Sequence, residues 1–275
     1  MVNCLLEYGA NIDFQCNDFE TPLHKAVRSN NLHIVQILVQ RGASMNLMSK
    51  KDSALHIAIL KGYDDIVSFL IKSNADVNIK TTEQGLTPAT LAAFANRINI
   101  LEILIQHNAD INAKADYIST TALHEAAYKG HLQIVKILIE NGANIDQRDD
   151  EENTPLIVST DHDQPEVTKF LLEKGANVNA KNLHRRTPLL CAIDMKNMDI
   201  VKLLIERSAD INGKDLHGQT PLMYAVGNAW LEGAEFLIKN GARIDEATNE
   251  AWTPFFHSVS KGYVEITDLL IENGA

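Results

Sequence analysis

The chain is poor in several residue types on which common folds and chemistries depend. Of 275 residues only three are cysteine, Cys4, Cys16 and Cys191, an odd and unclustered set. They build neither a disulfide framework nor a zinc-ligand spacing, and read as ordinary thiols of a reducing compartment. Aromatic residues make up 6% of the chain. Basic residues are outnumbered: 25 Lys and Arg against 36 Asp and Glu give a formal net charge of −11. The broad positive footprint of a nucleic-acid binder is therefore missing. No apolar run reaches the roughly 18 residues of a membrane-spanning helix. The opening MVNCLLEYGANID has neither a basic n-region nor a long apolar core, and is not read as a signal peptide.

Signatures of catalysis are absent too. There is no phosphate loop, no G-x-S-x-G elbow and no kinase set. The stretch TALHEAAYKGHLQI, residues 121–134, places His124 beside Glu125 in an expected helix. A zinc-protease helix needs H-E-x-x-H, with its second histidine at position 128. Tyr128 stands there, so no zinc site forms. Asp161-His162-Asp163 and the run Asp149-Asp150-Glu151-Glu152 concentrate acid in one part of the chain, but lack the D-x-D-x-D-G order of a calcium loop. They read as solvated acidic surface, with Asp163 expected to cap the helix that Pro165 starts. No metal, cofactor or enzymatic activity is expected.

What is present is a repeat. The element TPLH at 21 recurs as SALH at 53, TPAT at 87, TALH at 121, TPLI at 154, TPLL at 187, TPLM at 220 and TPFF at 253, at spacings of 32, 34, 34, 33, 33, 33 and 33. A small residue follows each start: Ala26, Ala58, Ala92, Ala126, Ser159, Ala192, Ala225, Ser258. Then come aliphatic sets such as IVQILV, IVKILI and IVKLLI, and a Gly-Ala step or near relative, from Gly42-Ala43 through Asn74-Ala75, Asn108-Ala109 and Ser208-Ala209 to Gly274-Ala275. Each feature has a physical job. The Thr or Ser hydroxyl caps a helix and the following Pro suits its first turn. The first helix is about two turns long, too short to stand alone, and its small residue lets a neighbour approach. The second helix carries an aliphatic stripe, as in Ile134, Val135, Leu138 and Ile139. Gly, or Asn in its place, ends that helix in a left-handed conformation. No unit buries its own face, so stacking supplies the core.

This pattern resembles the ankyrin repeat, whose period of about 33 residues and T-P-L-H-x-A signature it follows. The resemblance covers essentially the whole chain and implies an all-α ankyrin-repeat solenoid, each unit a helix–turn–helix with a β-hairpin finger. One array is expected over 1–275: a partial unit at 1–15, then repeats at about 16–47, 48–81, 82–115, 116–148, 149–181, 182–214, 215–247 and 248–275. Met1-Val2 falls in the Ile-Val place of a second helix and the chain stops at Gly274-Ala275, so a segment of a longer array, or an incomplete gene product, is expected. The fourth-place histidines His24, His56 and His124 are implied to hydrogen-bond nearby backbone, and His131 to start a second helix.

Departures from the pattern are local. From each Gly-Ala step to the next Thr or Ser is usually 12 residues, but 11 before Ser53 and 13 before Thr87 and Thr121, so all length variation lies in the fingers. The finger turn D-x-x-G-x-T is complete only at Asp215–Thr220. Phe19, Lys51, Ser119, Glu152, Arg185 and Ala251 replace its glycine, and these tips are expected to be less regular. In repeat seven Gly233-Ala234 replaces the Ile-Val pair, with Trp230 as the filler of the lost volume.

In the ankyrin family partners contact the finger tips and the exposed side of the first helix. Carried onto this chain, those positions hold Leu86, Phe94, Tyr117, Ile118 and Tyr128 in repeats three and four. Repeats six to eight add Leu183, Met195, Leu216 and Trp252. Between them fall Asp150, Glu151 and Asp161 of the acidic repeat five. Exposed apolar residues, aromatics especially, mark interfaces. The expectation is a groove with two apolar zones flanking an acidic strip, taking a protein segment that is both basic and apolar; the alternative is packing against neighbouring fingers. Neither nucleic acid nor membrane insertion is expected, and the chain is read as a monomer, cytoplasmic, with the nucleus as alternative. Function is read as non-catalytic protein binding: a scaffold, adaptor or inhibitor. Two alternatives are the cytosolic ankyrin region of an ion channel or membrane–cytoskeleton adaptor, and the substrate-recognition arm of a ubiquitin ligase. Asn78, Asn112, Asn179 and Asn212 match sites that asparaginyl hydroxylases modify in ankyrin proteins; a hydrogen bond in the finger turn is the other reading.

Overall fold

The computed structural model describes residues 7–275; Met1, Val2 and Cys4, discussed above, lie outside the described residues. Sixteen helices are found there, paired repeat by repeat: α1 Pro22–Arg28 with α2 Leu32–Gln40, α3 Ala54–Lys61 with α4 Asp64–Lys72, α5 Pro88–Phe94 with α6 Ile98–Gln106, α7 Ala122–Lys129 with α8 Leu132–Glu140, α9 Pro155–Asp161 with α10 Pro165–Glu173, α11 Pro188–Asp194 with α12 Met198–Glu206, α13 Pro221–Gly227 with α14 Leu231–Lys239, and α15 Pro254–Lys261 with α16 Val264–Glu272.

Two compact units divide the chain. The first holds residues up to 126 together with 131–144. In it α1 packs on α3, α3 on α5, α2 on α4, α4 on α6, and α6 on α8. The second holds 127–130 and 145–275, where α9 packs on α11, α11 on α13, α13 on α15, α10 on α12, and α14 on α16. In both units most of each aliphatic stripe is buried, as at Ile66, Leu70, Leu101 and Leu104 in the first and Leu171, Val201 and Leu204 in the second, while Ile271 of the last repeat is exposed.

Each helix pair begins as its residues dictate. The hydroxyls of Thr21, Ser53, Thr87, Thr154, Thr187, Thr220 and Thr253 accept the backbone N–H three residues on. In α1 and α3 the fourth-place histidine completes the cap, its Nδ1 accepting the amide of the capping residue. The second helix ends at a left-handed residue in every repeat: glycine at 42, 142, 175, 241 and 274, and Asn74, Asn108 and Ser208 elsewhere. Between the two helices a second left-handed residue is needed, and here Asn30, Asn96, Asp163, Lys196 and Ala229 do what Gly62, Gly130 and Gly262 do.

That demand corrects one expectation. Asp163 does not cap α10; Gln164 holds the N-cap place and makes no side-chain cap bond. Asp163 lies one residue earlier at φ 49°, and its carboxylate accepts the Asn197 side-chain amide at 2.6 Å.

The fingers are leaner than a hairpin ladder. One isolated bridge, Met48 with Ser53, is their only β pairing among the described residues. Each finger closes instead through a backbone bond such as Cys16 N–H to Glu20 carbonyl at 3.1 Å, Thr81 to Leu86 at 3.0 Å or Asp215 to Gln219 at 3.1 Å. Tips bond to the preceding tip within each unit, as Asp116 N–H does to the Gln84 carbonyl at 3.0 Å and Leu216 to His184 at 2.9 Å. The tips lacking glycine keep the left-handed turn. Phe19, Ser119, Glu152, Arg185 and Ala251 have φ between 50° and 64°, so these tips are strained rather than irregular. Lys51 escapes, because its finger is one residue shorter.

The asparagine positions are used structurally. The side-chain carbonyls of Asn78, Asn112, Asn179 and Asn212 accept the backbone N–H of Asp110, Asn144, Asp210 and Arg243 in the following repeat at 2.8–2.9 Å. In repeat seven the Trp230 indole lies over Gly233, where an added Cβ would sit 2.2 Å from it. The tryptophan thus occupies the volume that the missing aliphatic side chain leaves.

A candidate partner-binding hollow

In the first unit the finger tips and first-helix ends of repeats two to four enclose a hollow of about 500 Å³. Its apolar wall is Leu60, Leu86, Leu91, Phe94, Tyr117 and Ile118. The three fingers whose lengths depart from the rest meet there: the short finger two supplies Lys51 and Asp52, and the two longer fingers supply Glu83 and Tyr117. The wall is open to solvent: Phe94 is 43% exposed, Ile118 46% and Tyr117 76%. On the rim Lys51 is held by Glu83 at 2.9 Å, and Lys80 by Asp116 at 2.5 Å.

Four of the five apolar residues singled out in repeats three and four therefore share one site. Tyr128 does not line it. Its ring meets the His162 ring edge-on, centroids 4.4 Å apart, and the Lys129 ammonium lies 4.9 Å from its centroid. Leu60 and Asp52 were not in the expected cluster, yet both line the hollow. The signal was a leucine at a helix end where four of the eight repeats place Arg, Asp or Ser.

In the second unit the named residues do not converge on one hollow. Trp252 lines a smaller one of about 310 Å³ with Met223, His217 and His257, and its indole packs edge-on against Phe256 at 4.9 Å. Leu183, Met195 and Leu216 are exposed and do not line it.

The acidic strip is more neutral than composition suggests. Asp161 lies 3.4 Å from Arg186, which also binds Asp194 at 2.8 Å. Glu152 pairs with Arg148 at 2.7 Å, and Glu151 faces His184 at 3.8 Å. The Asp149 carboxylate accepts the backbone amides of Glu151 and Asn153. Asp150 stays exposed at the tip. Arg186 also lies over the Tyr224 ring, 5.9 Å from its centroid, and Tyr224 donates to Asp215 at 3.1 Å. Burial pushes the Tyr224 hydroxyl and the Cys191 thiol well above their ordinary ranges, so neither ionises near neutrality. A half-buried, internally paired network of this kind organises the first helices and fingers of repeats five to seven.

The model of the ankyrin repeat family, built on three copies of the repeat, matches at residues 1–81, 50–115, 79–149, 123–215 and 212–275. The chain belongs to the ankyrin-repeat family. Ankyrin repeats are generally protein–protein interaction modules, and non-catalytic. Among curated proteins the chain is 40% identical over 75 residues to the zebrafish (Danio rerio) Notch-regulated ankyrin repeat-containing protein A, covering 26% of this chain and 67% of that one. It is 38% identical over 99 residues to the mouse (Mus musculus) B-cell lymphoma 3 protein homolog, covering 35% of this chain but 22% of the relative. Over 82 residues it is 35% identical to the Caenorhabditis elegans ankyrin repeat and KH domain-containing protein mask-1, covering 29% of this chain and 3% of that protein. Of the two larger relatives the likenesses cover only these small shares. Among the described residues no helix is long and apolar enough to cross a membrane.

Proposed function

We propose that this ankyrin array is a non-catalytic binding module whose first unit takes a segment of a protein partner in the hollow of repeats two to four. One observation carries the reading: Leu60, Leu86, Phe94, Tyr117 and Ile118 converge around 500 Å³ of solvent-open space. Exposed aromatic and aliphatic side chains gathered around one cavity are where partners anchor. The smaller hollow at Trp252 serves as a second contact in the other unit. Scaffold, adaptor and inhibitor roles all follow from one such contact, and cytoplasm or nucleus would suit it equally.

The test is selection of binders from a random peptide-display library on the purified chain, mapped by methyl NMR. Peptides should shift Leu60, Leu91 and Ile118 and lose affinity at least about tenfold for a Phe94→Ala/Tyr117→Ala variant. Equal binding by the variant, at unchanged helicity, would reject the hollow as the site.

A further inference from the structure

At the residue before the capping Thr or Ser, three repeats place a charge: Glu20, Asp52 and Arg186. Two of these charges are satisfied inside their own repeat by the residue eight positions on. Glu20 is held by Arg28 at 2.5 Å and by Lys25. Arg186 is held by Asp194 at 2.8 Å. In repeat two the residue eight positions after Asp52 is Leu60. Among the described residues no hydrogen bond or ion pair reaches the Asp52 carboxylate. Nearby cations are committed elsewhere, Arg28 to Glu20 and Lys51 to Glu83 at 2.9 Å. Burial accordingly pushes the Asp52 carboxyl above its ordinary range, with the Glu83 carboxylate adding to the push and the charges of Arg28 and Lys51 opposing it.

Asp52 and Leu60 both line the hollow, together with Phe94 and Tyr117. A half-buried carboxylate without a counter-ion, beside aliphatic and aromatic surface, has one matching occupant: a cationic head on an apolar stem. A guanidinium fits better than an ammonium, because it is planar, more weakly hydrated and stacks on aromatic faces. We propose that the hollow is an arginine socket, in which a partner's guanidinium takes the place beside Asp52 that Arg28 holds beside Glu20, its stem lying against Leu60 and the Phe94 ring. This deepens the partner-binding reading and rests on it.

The probe is a short capped peptide, acetyl-Leu-Arg-Leu-amide, against its citrulline isostere, which keeps the shape and loses the charge. Both are titrated into the full chain by NMR in the millimolar range. The arginine peptide should shift the Leu60 and Leu91 methyls and the Asp52 carboxyl carbon, and bind at least about fivefold tighter than the citrulline peptide. Asp52→Asn should erase that preference while leaving citrulline affinity unchanged. Leu60→Arg, which restores in repeat two the internal pair of repeat one, should block the arginine peptide while α3 keeps its hydrogen-exchange protection. Equal affinity of the two peptides at the hollow would overturn the socket and leave the partner-binding reading standing. A preference for arginine that survives Asp52→Asn would do the same. Absence of shifts at Leu60, Leu91 and Asp52 with either peptide would overturn both readings.

Discussion

His56 makes the first unit acid-sensitive, by an amount that follows from its hydrogen bonds. The ring is fully buried. Its Nδ1 accepts the Ser53 amide at 3.2 Å, and its Nε2 lies 3.0 Å from the Ile79 carbonyl. Since Nδ1 accepts, Nε2 carries the proton and donates to Ile79. A second proton would have to go on Nδ1, against an N–H that already points at it, in a buried site. Burial therefore pulls the imidazole down to about 4, from the ordinary 6.5 of an unfolded chain. The unfolded state then binds the proton more tightly, so this contribution to stability is complete above pH 6.5 and is lost as pH falls from there toward 4. Between pH 7 and pH 5 the loss works out at about 2 kcal/mol for this one residue. His24, also pulled down by burial, acts in the same direction, so the parent must be compared with a variant that removes only His56. His56→Gln is suitable, because it does not titrate. Both tryptophans, Trp230 and Trp252, lie in the second unit, so fluorescence would miss the event. Amide hydrogen exchange across α3 reads it directly. The parent should lose about 2 kcal/mol more local stability than His56→Gln between pH 7 and 5. Parallel pH dependences in the two proteins would refute the argument.

Three further outcomes follow from single positions. Gly233→Ala, which in an exposed helix stabilises by about 1 kcal/mol, should here destabilise by about 1–3 kcal/mol, because the new Cβ would meet the Trp230 ring at 2.2 Å; a thermal melt that rises would show that the indole moves aside freely. Ser159 and Thr168 share a buried hydroxyl bond at 2.9 Å, so Thr168→Val should cost about 1–2 kcal/mol, while the double change Ser159→Ala/Thr168→Val, which installs the alanine–valine pairing of most other repeats, should cost much less; additive urea-melt values would sink that coupling. Ala251→Gly should stabilise the last finger by up to about 1 kcal/mol, since φ is 64° there, and an unchanged or lowered melting temperature would mean the turn is not strained.

The fold was legible because every local signal repeats in register: capping hydroxyl, proline, small residue, aliphatic stripe and left-handed terminator agree with one another across eight units. Where the reading failed, a constraint of the backbone had outweighed a preference of the side chain. Asp163 is a good N-cap residue by type, yet the turn before α10 needs a left-handed residue at its place and moves it out of capping range. The pairing of Ser159 with Thr168, and of Ser258 with Thr267 at 2.9 Å, was written in the sequence as two serines at the small position, each with a threonine nine residues on. It stayed unread because only the helix-pair geometry says that these two places touch. The candidate site shows the same limit. Leu86, Phe94, Tyr117 and Ile118 could be placed by register, and register also put Asp52 and Leu60 among the contact positions of repeat two, but the apolar cluster drawn from it took in Tyr128 and passed over those two. Fingers two to four, the ones whose lengths depart from the rest, are the ones that meet at the hollow, and within it Leu60 stands where repeat one provides its own counter-ion, Arg28. If the socket holds, the loss of one internal ion pair beside exposed apolar side chains is what makes the hollow seek a cation, in a scaffold whose other charged repeats satisfy themselves at that position.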